Sequence, residues 1–230
     1  MTSTAPRRPG FDSTTSVVFG RDVSYFDAVY GFAATLLIAN VDAPPPEAWA
    51  SIDALVASGV THQAFGFVLS FTVIAVFWRA NVRLTRQFTG LDSATTVANL
   101  VAAGSVVFLA FTTQGISDPR SAELPLPTVF YAANVALVSV SLTAMHQLAR
   151  ARGLLRTPTT ARQNAADLAA GLITPFVFLA SIPVTMLWGA DAGRWSWAAL
   201  LVLSPALGVL AARRATAHTA RARARARARD

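Results

Sequence analysis

Six stretches of this chain are apolar for nearly the length of a membrane-crossing helix, and none carries a charged residue in its middle. They cover about 25–41, 63–78, 95–116, 127–148, 168–188 and 195–212. An α-helix rises about 1.5 Å per residue, so roughly twenty apolar residues span the hydrocarbon layer. Inside that layer every backbone N–H and C=O must be bonded internally, which selects helices over open sheets. Each stretch is bounded by charge, proline or glycine; the first stops at Pro44, Pro45 and Pro46, which cannot continue a helix. The composition supports this reading. Of 230 residues only 13% are charged, against about a quarter in an ordinary soluble domain. The expectation is an all-α integral membrane protein with six transmembrane helices over 20–214. An N-terminal tail (1–19) precedes them, and an Arg/Ala-rich disordered tail (215–230) follows.

Orientation follows from the arginines, because basic residues flanking spans stay on the cytoplasmic side. All 19 basic residues are arginine. With the N-terminus in the cytoplasm, Arg7, Arg8, Arg21, Arg79, Arg83, Arg86, Arg150, Arg152, Arg156, Arg162 and the tail from Arg213 all fall inside. Only Arg120 and Arg194 fall outside. Both termini are therefore expected to be cytoplasmic. The net charge of +7 then lies along loops that face anionic lipid and is no signature of nucleic-acid binding. In RARARARARD (221–230) alternate arginines would face all sides of a helix, so the tail is read as a low-complexity segment touching headgroups. The alanine- and arginine-rich usage points to a bacterial source, hence a bacterial plasma membrane.

The sequence offers no catalytic constellation, and an enzyme is not expected. Cysteine is absent, which removes thiolate ligands and thiol nucleophiles. His62, His146 and His218 lie at span ends or in the tail, too scattered for a ligand set, and no phosphate loop or nucleophile elbow occurs. No cofactor is implied. Ionisable and amide groups in spans draw attention because burying them in lipid is costly unless they find partners. Arg21, Asp27, Trp78, Asn81 and Asn99 all fall at one depth near the cytoplasmic interface. They either form a hydrogen-bonded cluster or snorkel separately, and depth alone supports both equally. Asn134, Ser139, Ser141 and Thr143 mark span four, and Thr112, Thr113 and Gln114 mark the end of span three.

The stretch RDVSYFDAVYGFAATLL (21–37) resembles the first-helix signature of the lysosomal potassium channel transmembrane protein 175 and its bacterial relatives. That signature is Arg-x-x-x-Phe-Ser-Asp followed by an apolar run containing Thr-Leu. SFTVIAVFWRAN (70–81) is similar to the family's second-helix pattern, and the Asn99-Leu100 pair resembles the start of its third. FYAANVALVSVS (130–141) and TPFVFLASIPV (174–184) resemble the fourth and fifth. The resemblance implies a passive, potassium-permeable leak channel built as a homotetramer, with the first helix of each subunit lining a non-canonical pore. Monovalent cations and the lipid bilayer would be its only partners. By position, Phe32, Thr35, Leu36 and Ala39 would form the pore constriction, and Arg21, Asp27, Trp78, Asn81 and Asn99 a structural polar network. The stripe 32, 35, 36, 39 follows the i, i+3, i+4, i+7 spacing of one helix face, a pattern that lipid-facing and helix-packing surfaces share.

This chain departs from the family pattern in three places. Tyr25-Phe26 stands for Phe-Ser, Asn81 for a histidine, and Phe32 for an aliphatic residue at the constriction. Two other readings stay open at this level. One is a small-solute or proton-coupled transporter with helices broken at Pro175, Pro183 or Pro205; the other is a non-conducting membrane scaffold of the same family.

Overall fold

The computed structural model describes residues 12–14 and 16–198. In chain order these form β1 (Asp12–Ser13), α1 (Val17–Leu36) continued by a 3-10 turn (Leu37–Asn40), and a second 3-10 turn (Pro46–Ala50). Then come α2 (Ile52–Ala57), α3 (Val60–Arg86), β2 (Gly90–Leu91), α4 (Ser93–Ser117), α5 (Pro125–Ala151), α6 (Ala161–Trp188) and α7 (Ala190–Ser196). Five helical stretches, 17–40, 60–86, 93–117, 125–151 and 161–188, are long and apolar enough to cross a membrane. The sixth expected span, 195–212, lies almost wholly outside the described residues; its first residues end α7 and the turn at Trp197–Ala198.

Each long helix overruns its hydropathy-based limits, and the ends show why. Hydropathy falls at the first charge, but a helix continues until a cap or glycine stops it. Helix α1 starts at Val17, before the expected domain edge at residue 20, because the Ser16 hydroxyl accepts from Phe19 N (3.1 Å). Helix α6 starts seven residues before residue 168, at a capping box in which Thr160 and Gln163 bond each other's backbone N–H. Helix α3 runs two turns past Trp78, carrying Arg79, Arg83 and Arg86.

Cross-bonds fix the packing order. Asn134 Nδ2 donates to Ser105 O (3.0 Å), joining α5 to α4, and Thr113 Oγ1 donates to Ser70 Oγ (2.7 Å), joining α4 to α3. The Ser70 hydroxyl also shares a hydrogen bond with Tyr131 Oη (3.1 Å), so three helices meet at one buried hydroxyl cluster. Around it lies an apolar core of Val106, Leu109, Ala132, Val135, Val138 and Met145, all buried. Beyond it, Tyr131, Phe178 and Trp197 form an aromatic group whose indole donates to Ser181 Oγ (2.9 Å). Satisfying a hydroxyl inside a bundle with another helix's hydroxyl suits a lipid-embedded core, where no water is at hand.

Helix α6 stays unbroken through Pro175 and Pro183. Proline lacks an N–H, so Pro175 leaves the Gly171 carbonyl, four residues earlier, without its helical donor. The hydroxyls of Ser139 and Thr143 on α5 donate to that carbonyl, each at 3.3 Å. A Cβ at position 171 would lie 2.6 Å from Thr143 Oγ1, so only glycine admits this approach. Ser139 and Thr143 of the polar run noticed in span four thus serve a neighbouring helix's backbone.

At the arginine-rich end three segments are stitched together. Strand β1 pairs antiparallel with β2, Asp12 opposite Leu91 and Ser13 opposite Gly90. Thr89 N donates to Leu154 O (2.7 Å), and Arg156 N to Gln87 O (2.8 Å). Phe88, Leu91 and Leu154 are buried beneath. Asp92 caps α4 and meets the Arg152 guanidinium at 2.8 Å. Burial by itself would raise the Asp92 carboxyl, but donors from Thr95 and Arg152 outweigh it and hold the group below the usual carboxylate range. A carboxyl depressed in the folded state contributes stability above its unfolded pKa, near 4, and loses it as pH falls through the folded value. Resistance of the detergent-solubilised protein to unfolding should therefore weaken below about pH 4. Asp92→Ala should cost about 1–2 kcal/mol at neutral pH through loss of the cap. Asp92→Asn, which keeps a capping oxygen and loses only a half-exposed ion pair, should cost under about 1 kcal/mol.

Candidate functional site

Helix α1 has one buried side and one bare side. Phe26, Tyr30, Ala33 and Leu37 recur at i, i+4, i+7 and i+11, are buried, and pack toward α3 and α4. The opposite side presents Ala28, Gly31, Phe32, Thr35, Ile38 and Ala39, all exposed, with Phe32 at 62% and Ile38 at 60% of full accessibility. Of the residues assigned to a constriction from sequence, Phe32, Thr35 and Ala39 lie on this bare side. Leu36 is half-buried on its flank, and Ile38 continues the face in its stead. The Thr35 hydroxyl donates to Phe32 O (2.8 Å), which leaves its oxygen lone pairs free to accept a hydrogen bond or meet a cation.

Polar bonds hold α1 at both ends of that face. At the arginine-rich end Trp78 Nε1 on α3 donates to Asp27 Oδ1 (2.8 Å). Side chains on a helix lean toward its N-terminus, which brings the Tyr30 phenol down from α1 toward Asn81. Tyr30 is 2% exposed, and its hydroxyl lies beside the Asn81 amide without closing a hydrogen bond of good geometry. Beneath it Asn81 Nδ2 donates to Asn99 Oδ1, tying α3 to α4 in the interior. At the other end Asn40 Nδ2 donates to Ala110 O (2.7 Å) on α4. Gln63 and Asp42 exchange two bonds, Gln63 Nε2 to Asp42 Oδ2 (3.0 Å) and Asp42 N to Gln63 Oε1 (2.9 Å).

Of the five residues assigned to a polar network, four therefore form two bonded pairs, Asp27–Trp78 and Asn81–Asn99. Arg21 joins neither; it is exposed and enters no ion pair among the described residues. It lies a turn and a half before Asp27, on the exposed side of the helix. Sequence reasoning missed Tyr30, Asn40, Asp42 and Gln63. Tyr30 gave a signal in its spacing, since it lies three residues after Asp27 and carries a hydroxyl into an apolar run. The Asn40–Ala110 and Asp42–Gln63 bonds join positions 70 and 21 residues apart, and neither spacing suggests a pair.

Among the described residues no group of three or more His, Cys, Asp or Glu side chains is placed to hold a metal ion. His146 on α5 is buried with both ring nitrogens unbonded, 3.9 Å from the Asp167 carboxylate on α6 and away from α1's bare face.

The model of the endosomal/lysosomal potassium channel TMEM175 family matches residues 21–109, which hold most of α1, all of α2, α3 and β2, and the first two-thirds of α4. Comparison with curated proteins yields no match. Among solved structures the chain is similar to a lysosomal potassium-selective channel TMEM175 homologue from Chamaesiphon minutus. The TM-score is 0.65 at 18% identity, over 84% of this chain and 98% of that one. It is also similar to a threonine-to-alanine variant of the potassium channel MtTMEM175, solved with a nanobody–MBP fusion protein. There the TM-score is 0.57 at 18% identity, over 92% of this chain and 99% of that one.

The amide pair can be tested by unfolding in detergent. Asn99→Leu leaves a buried Asn81 amide unpaired and should cost about 1–3 kcal/mol, whereas the double variant Asn81→Leu/Asn99→Leu should recover most of that loss.

Proposed function

We propose, from the match of residues 21–109 to the TMEM175 family model, that this membrane protein is a potassium-permeable channel conducting through a homotetrameric pore. The observation that carries the reading is the bare face of α1: apolar, bearing one hydroxyl, on a helix bonded to its neighbours at both ends. An unpartnered face at mid-membrane depth fits lipid or other copies of itself. Four such faces around an axis make a narrow tube of Phe32, Ile38 and Ala39 side chains with one ring of Thr35 hydroxyls.

Conduction through such a tube depends on radius and wetting. A cation reaching the Thr35 ring exchanges part of its water shell for hydroxyl oxygens, whose protons already point back to the Phe32 carbonyls. Four Phe32 rings form the tightest and driest level and keep resting flux low. Asp27 acts through position: its bond to Trp78 sets how far the cytoplasmic end of α1 stands from the axis. The arginine distribution supports six spans with both termini in the cytoplasm, and the family's bacterial members support the plasma membrane as the location. Helix α6 is continuous through Pro175 and Pro183, so neither supplies the break a solute transporter would need, and Pro205 lies outside the described residues.

Purified protein in liposomes should pass potassium without valinomycin. Phe32→Ile should raise that flux about tenfold, as lowering a dewetting barrier by ~1.4 kcal/mol would do. Absence of flux in both proteins would sink the channel reading. Asp27→Ala should reduce the yield of intact tetramer on gel filtration more than it changes the potassium-to-sodium flux ratio.

A further inference from the structure

The α4–α5 hairpin carries a second feature, well separated in sequence from the α1 face. At the end opposite the arginine-rich one, a groove of about 450 Å³ opens between the two helices. Its walls are Phe111, Leu126, Pro127 and Phe130, and its rim carries Gln114 and Asp118. Phe111, Leu126 and Phe130 are each more than half exposed, and Phe111 stacks on Phe108 with centroids 5.0 Å apart. With α4 and α5 as membrane spans, the groove would run across the membrane boundary. The rim lies at the end of α4 and in the following loop, while Phe111 and Phe130 lie roughly 8–9 Å deeper along their helices.

The rim is zwitterionic. Asp118 Oδ1 accepts from Arg120 N (2.9 Å) and Arg120 Nε (3.3 Å), which leaves Oδ2 available. The Arg120 side chain is 91% exposed, so its terminal nitrogens are free for an anion. The Gln114 amide is exposed one turn below. Apolar walls within the hydrocarbon, beneath a carboxylate and a guanidinium at headgroup level, match one ligand chemistry: an acyl chain topped by a phosphate and a primary ammonium.

We propose that this groove is a binding site for an aminophospholipid of the phosphatidylethanolamine type. One acyl chain lies between Phe111 and Phe130, the ammonium donates to Asp118 Oδ2 and the Gln114 carbonyl oxygen, and Arg120 meets the phosphate. A primary ammonium brings three N–H donors to the carboxylate, whereas the trimethylammonium of phosphatidylcholine brings none. A purely anionic headgroup would meet Asp118 with like charge. The site depends on the chain being in a membrane and is independent of whether α1 lines a pore.

Native mass spectrometry of the full-length protein in detergent, given equal amounts of phosphatidylethanolamine and phosphatidylcholine with the same acyl chains, provides the test. Retention of phosphatidylethanolamine should exceed that of phosphatidylcholine by about tenfold, the worth of one charge-assisted hydrogen bond network. Asp118→Asn, in a surface loop, should bring the two to parity with an unchanged melting temperature. Phe130→Ala should lower retention of both. Equal retention by the unaltered protein, a preference that survives Asp118→Asn, or no retained lipid because another subunit covers the groove would each overturn the proposal.

Discussion

The fold depends on how α1 is held. Its buried stripe of Phe26, Tyr30, Ala33 and Leu37 is narrow, about one residue per turn, with Phe19 and Ala34 packed partly buried beside it. Polar bonds add to that packing at two levels: Trp78 to Asp27 midway along the helix, and Asn40 and Asp42, just beyond its end, to α4 and α3. In hydrocarbon such bonds are worth making because the alternative is an unpaired polar group. The outer face of the helix, from Ala28 to Ala39, is left bare.

The same economy of polar groups organises the rest of the bundle. The Gly171 carbonyl, freed by Pro175, is bonded by Ser139 and Thr143, and the Ser70 hydroxyl is shared by Tyr131 and Thr113. Asn134 bonds the Ser105 carbonyl. Each of these polar residues answers a partner on a neighbouring helix. These residues fix register between helices whose surfaces would otherwise slide against one another. Helix α5, bonded to α3, α4 and α6 in this way, is the central post, and α1 lies against the α3–α4 side of it.

Much of this was legible in the residues. The apolar runs gave five long helices because hydrocarbon thickness and helix rise leave little choice of length. Their ends were less legible, since hydropathy marks where lipid stops and capping marks where a helix stops; Ser16 and Thr160 moved α1 and α6 by about two turns. The polar network was partly legible. Depth put Arg21, Asp27, Trp78, Asn81 and Asn99 at one level, but depth carries no azimuth, so it could not separate Arg21, which points away, from the four that pair.

By itself the sequence determined the solvent of this protein, the existence of its described long helices, and which residues could meet at a common depth. Those follow from composition and helix geometry, which are local. The tertiary structure alone decided which side of α1 is covered. It placed Leu36 on the flank and Ile38 on the bare face, and it gave the Gly171 carbonyl its donors from another helix. The reason is rotational: a helix can turn about its axis without changing its hydropathy, and only contacts with its neighbours stop it.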